Sequence, residues 1–287
     1  MVPEVAAREH LRALPLMVDG ALERAGAAPA DVGLVAVTRG PGLVGCLLVG
    51  TRFAEGLAAA WDRPLTGVNH LWGHVYAAWL SRPDLRLPAL ALVVSGAHSD
   101  LVRLREHGRF EVLGRTRDDA AGEALDKAAR MLGLGYPGGP ALDRLARTGD
   151  AARQLLPVPD LPGLEFSFSG LKTALLYRLR DLGELESTTQ ADLAAAFERS
   201  VVESLLLKLD RALAAEETSD VIVCGGVAAN TLLRRRAAEV VDGRAELTIP
   251  SLELCTDNAA MIAAAAHHQI RCLGLQAVAA DPAMGWA

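Results

Sequence analysis

The feature that most limits what this chain can fold into is one design used three times. A run of β-branched and aliphatic residues leads into a turn containing glycine, and the turn leads into a stretch read as helical. The three copies lie at 34–61 (LVAVTRGPGLVGCLLVGTRFAEGLAAAW), 90–104 (LALVVSGAHSDLVRL) and 219–241 (SDVIVCGGVAANTLLRRRAAEVV). Aromatic residues are only 4% of the chain, which favours close helix-on-sheet layers over a β-sandwich, so the expected class is α/β. In such folds ligands sit beyond the carboxyl ends of the strands, where a backbone without side chains can approach a phosphate. Gly40, Gly42, Gly96, Gly225 and Gly226 are the candidate contact points.

With 287 residues, of which 51% are hydrophobic, the chain has enough material for one large domain or two lobes. Helices are expected at 5–25, 119–133, 140–148, 169–182 and 190–215, with a final one at 257–273; the Pro-, Asp- and Gly-rich segment 149–168 reads as a loop. Pro83 to Pro88 marks a boundary. The expectation is a first lobe of 1–87 to which 257–287 returns, and a second lobe of 88–256. No strand pair precedes the first helix, so the first lobe is expected to lack an opening hairpin.

The segment MVPEVAAREHLRALP carries charges and proline where a signal peptide needs an apolar core, and no apolar run is long enough to span a membrane. The expected location is the cytoplasm. Cys46, Cys224, Cys255 and Cys272 form no C-x-x-C pair and read as reduced core residues. The net charge of −6 leaves a nucleic acid only local patches to bind. The candidates are Arg234–Arg236, then Arg103, Arg105 and Arg109, then Arg115 and Arg117, each of which also reads as an ordinary solvated surface.

Four strings carry potential chemistry. NHLWGHVYAAW (69–79) puts His70 and His74 on one helical face, within reach of a single metal ion. A zinc protease would need Glu after the first histidine, but that position is Leu71. Asp257 in CTDNAAM reads either as a third ligand or as a plain helix N-cap, and a His₂Asp set with open positions suits Fe(II) or Zn as a Lewis acid. In DDAAGEALDKAARMLGLGYPGGPALDRLA (118–146), Asp126 reads either as an acceptor for ribose hydroxyls or as part of a solvated helix face that leads into a turn. Gly138 and Gly139 would let a ligand approach the backbone, and Asp143 lies one turn further on. FSFSGLKT (166–173) reads as a strand-like run, with Ser169 capping a helix that holds Lys172.

Taken in order, from VPEVAAREH through GPGLVGCLLVG, GVNHLWGH, VVSGAHS, the 118–146 string, FSFSGLKT and GGVAANTLL to CTDNAAM, these motifs resemble the tRNA N6-adenosine threonylcarbamoyltransferase family (TsaD, once labelled a glycoprotease). The resemblance covers nearly the whole chain. It implies the actin-like ATPase (ASKHA) fold, two lobes each with a mixed sheet and flanking helices, and an N-terminally truncated first lobe. It implies one divalent metal ion per subunit, Fe(II) ahead of Zn, on His70, His74 and Asp257, the set through which catalysis would run. It implies threonylcarbamoyl-AMP bound by Val93, Val94, Ser95, Gly96, Ala97, Asp126, Gly139, Asp143 and Asn230. It also implies transfer to tRNA, with partner subunits of the TsaB and TsaE type. The family has glycine at Ala97 and threonine at Ser99; the added methyl would be strained if the turn required positive φ there. The alternative is a non-catalytic actin-like paralogue that serves as a docking subunit.

Overall fold

In the computed structural model, which describes residues 3–286, the chain groups into two units. The first holds the residues up to Leu80, the turn His107–Arg109 and the residues from Asn258 onward; the second holds Ser81–Glu106 and Phe110–Asp257.

The first unit contains α1 (Pro3–Ala25), β1 (Val35–Gly40), α2 (Val44–Trp61), β2 (Leu65–Asn69), α3 (His70–Ser81) and α10 (Ala259–Leu273). β1 and β2 pair in parallel, with Val35 opposite Leu65. A parallel pair needs a crossover, and α2 supplies it by burying Ala54 and Ala58 against Val35. After α10 the chain runs back to this sheet. The Gly67 amide donates to the Gln276 carbonyl (3.1 Å), and the Asp281 amide donates to the Arg39 carbonyl (2.8 Å). A Cβ at Gly40 or Gly67 would collide with the carbonyls of Asp281 and Ala277, so only glycine allows the return segment to lie this close.

The second unit is built on a five-stranded sheet in the order β5-β4-β3-β6-β7. These strands are β3 (Ala89–Val94), β4 (Ser99–Glu106), β5 (Arg109–Arg115), β6 (Asp220–Cys224) and β7 (Glu246–Thr248). β3 is antiparallel to β4 and parallel to β6, which is in turn parallel to β7. Every residue of β3 and β6 is buried, which is why their sequences are continuous apolar runs rather than alternations. The helices are α4 (Ala121–Met131), α5 (Gly138–Ala146), α6 (Ser169–Leu182), α7 (Ser187–Ala215), α8 (Thr231–Val241) and α9 (Leu252–Cys255). α7 is the core helix: Leu193, Phe197, Val201, Leu205 and Leu209 are fully buried, at the spacing of one apolar face.

Several expectations are corrected here. Residues 99–104, read as helical, form strand β4, because the chain folds back in a tight turn. The Ser95 amide donates to the His98 carbonyl (2.8 Å), and Ser95 Oγ accepts from the His98 amide (3.1 Å). The ladder then places Leu101 opposite Leu92 and Val102 opposite Ala91, burying apolar pairs that a short helix would expose. Ser169 is not the N-cap of α6; Phe168 is, without a side-chain cap bond. Ser169 Oγ instead donates to Asp118 Oδ2 (2.8 Å), and Asp118 Oδ1 accepts the Phe168 amide (2.8 Å). Burial alone would push the Asp118 carboxyl up, but the bonds from Ser167, Phe168 and Ser169 outweigh it and hold the group below the usual carboxylate range.

Residues 160–163 of the loop 149–168 are held by a lysine. Lys208 on α7 is fully buried, and its Nζ donates to Asp160 Oδ1 (2.6 Å) and to the carbonyls of Leu161 and Gly163. Of the four free cysteines, Cys224 and Cys255 are buried as expected, whereas Cys46 is half-buried and Cys272 exposed. Most members of the arginine patches are held locally. Arg105 pairs with Glu111, Arg117 with Glu165 and Arg236 with Glu203 and Glu239. No helix among the described residues is long and apolar enough to cross a membrane.

Candidate metal centre and ligand pocket

β2 ends at Asn69, whose Oδ1 accepts the Leu71 amide (2.9 Å) and so starts α3 directly after the strand. That start is pinned from the other side: Asn69 Nδ2 donates to the Gly285 carbonyl (2.6 Å) and Trp72 Nε1 to the Trp286 carbonyl (3.1 Å). His70 and His74 stand one turn apart at this fixed helix start, with their rings edge-on and 4.7 Å between centroids. At Asp257 the two readings of the sequence separate. The cap of α10 is Asn258, whose Oδ1 accepts the Met261 amide (2.8 Å), so the cap role falls to the next residue. His70, His74 and Asp257 each offer a ligand atom, and these atoms lie within 4.8 Å of one another. Two imidazoles and one carboxylate fit a divalent transition ion with positions left open for a substrate.

Gly73, between the two histidines, sets the spacing of α3 against α10. A Cβ there would lie 2.8 Å from Ile262 Cδ1 and 3.2 Å from Met261 Cγ. Gly73→Val is therefore expected to push the start of α10, and Asp257 with it, away from the histidines. Metal affinity should fall about 10- to 100-fold, as for other changes that misorient ligands, which competition with a chelating dye would measure.

In the second unit the Ser95–His98 turn caps β3. Val93 and Val94 are fully buried, so their side chains support the turn rather than reach a ligand. Gly96 at the tip is exposed and has open space where a Cβ would be. Ala97 does not have positive φ; Asp62 is the one non-glycine described residue that does, so the expected strain at Ala97 does not arise. Gly122 at the start of α4 packs onto this turn, its amide donating to the Ser95 carbonyl (3.2 Å).

Five of the candidate residues, Gly96, Asp126, Gly139, Asp143 and Asn230, line one cavity of about 530 Å³; Val93, Val94, Ser95 and Ala97 do not. Asp126 Oδ1 accepts the Gly139 amide (2.8 Å), which fixes the turn between α4 and α5. Asn230 is 8% exposed and its side chain is fully engaged. Its Oδ1 caps α8 by accepting the Leu233 amide (2.8 Å), and its Nδ2 donates to Asp143 Oδ1 (3.2 Å) and Glu198 Oε1 (2.5 Å). Asp143 also accepts the Thr231 amide (3.0 Å) and the Arg147 guanidinium.

Behind this cavity, bonded by Asn230, stands Glu198, a residue that the sequence did not single out. It is 4% exposed on α7, and burial, reinforced by the neighbouring Asp143, pushes its carboxyl up to about 8. The available signal was a charge at a core position of an otherwise apolar helix face, LAAAFERSVVESLLL.

A family model for TsaD, tRNA N6-adenosine threonylcarbamoyltransferase, matches residues 1–264. A protein of Symbiobacterium thermophilum bearing that name is 50% identical over 270 residues, which is 93% of this chain and 79% of that protein. One from Thermosipho africanus is 46% identical over 270 residues, 93% of this chain and 82% of its own. One from Bordetella bronchiseptica is 50% identical over 278 residues, 94% and 80%. Among solved structures, HypF of T. kodakarensis superposes with a TM-score of 0.63 at 16% identity, covering 84% of this chain and 41% of that one. Full-length HypF in a phosphate- and nucleotide-bound form gives 0.66 at 14%, covering 86% and 48%. At this identity the likeness is one of fold, the mixed α/β architecture of the actin-like ATPases.

Proposed function

Because the chain belongs to the tRNA N6-adenosine threonylcarbamoyltransferase family, we propose that it moves a threonylcarbamoyl group from threonylcarbamoyl-AMP to a tRNA. The acceptor is N6 of the adenosine 3′ to the anticodon in tRNAs reading codons that begin with A, and AMP is released. The observation that carries this reading is the convergence of His70, His74 and Asp257 within 4.8 Å, since a docking subunit with no chemistry has no need of such a donor set.

The three residues hold a divalent ion, Fe(II) in preference to Zn. When bound, it supplies Lewis acidity toward a carbonyl or phosphate oxygen. The cavity of about 530 Å³ has the size of a small-molecule site and takes the adenylate. Gly96 and Gly139 let the nucleotide approach the backbone, and Asp126, with Oδ1 committed to Gly139, turns its second oxygen to a ribose hydroxyl. Asn230 and Asp143 form the wall between α5 and α8. Val93, Val94, Ser95 and Ala97 act by holding the turn that presents Gly96. None of these groups is an activated nucleophile, so the amine attacks the carbamoyl carbon directly and AMP leaves without a covalent enzyme intermediate. Partner subunits of the TsaB and TsaE type join the reaction in the cytoplasm.

The test is a reaction of the protein with threonylcarbamoyl-AMP, unmodified tRNA and partner subunits, followed by digestion of the tRNA and nucleoside analysis. Threonylcarbamoyladenosine is the expected product. Its absence when a known relative forms it under the same conditions would refute the reading.

A further inference from the structure

We propose that Glu198 is a positioning residue of the adenylate pocket. As a neutral acid it donates a hydrogen bond to Asp143 while accepting one from Asn230, and so locks the wall between α5 and α8 in the form that takes the nucleotide. The proposal rests on the reading of that cavity as the adenylate site.

Asn230 Nδ2 donates to both Asp143 Oδ1 (3.2 Å) and Glu198 Oε1 (2.5 Å), so one amide nitrogen holds the two carboxyls together, and both are nearly buried, at 7% and 4% exposure. Two carboxyls held this close and out of water cannot both stay ionised, so one of them carries a proton. Asp143 receives donors from Arg147, the Thr231 amide, Thr231 Oγ1 and Asn230 Nδ2, so it is the better seat for the charge and the proton belongs on Glu198. With Asn230 Oδ1 committed to the Leu233 amide, its amide orientation is then set on every side. Asn230 and Asp143 line the ligand cavity, whereas Glu198 sits behind them and opens onto a second cavity of about 500 Å³. It acts on the nucleotide only through these two residues.

The charged groups around Glu198 are Asp143 and Arg147 on α5, Arg199 and Glu203 on α7, and Arg235 and Arg236 on α8. Arg236 is taken up by Glu203 (3.0 Å) and Arg147 by Asp143. No ion pair joins Arg199 or Arg235 to Glu198 among the described residues, and Arg147, the one cation favouring its ionised form, is outweighed by burial. Loss of the proton, which burial places at about 8, puts two like charges side by side out of water and loosens the wall.

The experiment is binding of adenosine, which has no group titrating in the range used, to the wild type, Glu198→Gln and Glu198→Ala between about pH 7 and pH 9. If only the protonated form is competent, the wild-type Kd rises about tenfold across that range. Glu198→Gln keeps one donor and one acceptor but cannot ionise. It should bind at pH 9 as it does at pH 7, close to the wild type at pH 7, whereas Glu198→Ala binds weakly throughout. A flat wild-type profile, or Glu198→Gln as weak as Glu198→Ala, would overturn the proposal.

Should the wild type bind no adenosine at any pH, the adenylate reading fails, and thermal unfolding without ligand still tests the shared proton. The folded state holds this proton more tightly than the unfolded chain. The stability it brings is therefore full below the ordinary glutamate range and is lost as pH rises to about 8. That slope should be smaller in Glu198→Gln. Equal slopes would overturn the shared proton as well.

Discussion

Replacing His70 and His74 together by alanine is expected to leave a folded protein that retains only background metal and transfers the threonylcarbamoyl group at least about a thousandfold more slowly. Removing both imidazoles leaves a single carboxylate, exposed to solvent, which cannot hold a transition ion against water. Lewis acidity at the reacting oxygen is worth several kcal/mol, and each 1.36 kcal/mol is about a factor of ten in rate. The fold should survive because α3 is anchored by Leu71, Val75, Tyr76 and Ala78, all nearly or fully buried, and by the Asn69 cap at its start. Elemental analysis and circular dichroism on the same sample separate loss of metal from loss of structure. A double variant with normal secondary structure, no metal and wild-type transfer would remove the metal from the account.

The second large effect is expected at Gly225. This residue links β6 to the turn before α8 and has φ +92°, a conformation that L side chains rarely adopt. A Cβ there would also sit inside van der Waals distance of the Val94 carbonyl on the neighbouring strand. Backbone on both sides leaves nothing flexible to yield. Gly225→Ala should destabilise the protein by about 3 kcal/mol or more, from the combined cost of the dihedral and the overlap, which urea unfolding would measure. Gly226 next to it has nothing within 4 Å of an added Cβ and no positive φ, so Gly226→Ala should cost far less. Equal losses at the two positions would show that the turn is not held by Gly225.

The two central strands were legible because burial on both faces forces a continuous apolar run, as in ALALVV and DVIVC. The histidine pair was legible because a period of 3.6 puts residues four apart on one face. Asp257 was ambiguous for a physical reason. Asp and Asn both cap helices, they are adjacent here, and local sequence does not say which of them takes Met261. Strand β4 was misread because its pairing with β3 is decided by the Ser95–His98 turn and by partners on another strand, whereas a six-residue window shows only its own periodicity. Ser169 misled in a similar way: it stands where a cap belongs, but the Asp118 carboxylate takes up its hydroxyl from about fifty residues away. Glu198 was the least legible of all. Its partners, Asn230 and Asp143, lie on two other helices, and only the fold turns a lone acid in an apolar stretch into part of a pocket wall.

Transfer is separated from mere hydrolysis by counting AMP against modified adenosine in one reaction. With threonylcarbamoyl-AMP and unmodified tRNA supplied together with partner subunits, AMP and threonylcarbamoyladenosine are expected in equal amounts, with little AMP when tRNA is left out. AMP released in full with no nucleoside formed, while a relative in a parallel reaction gives both, would contradict transfer and leave this protein an adenylate hydrolase rather than a transferase.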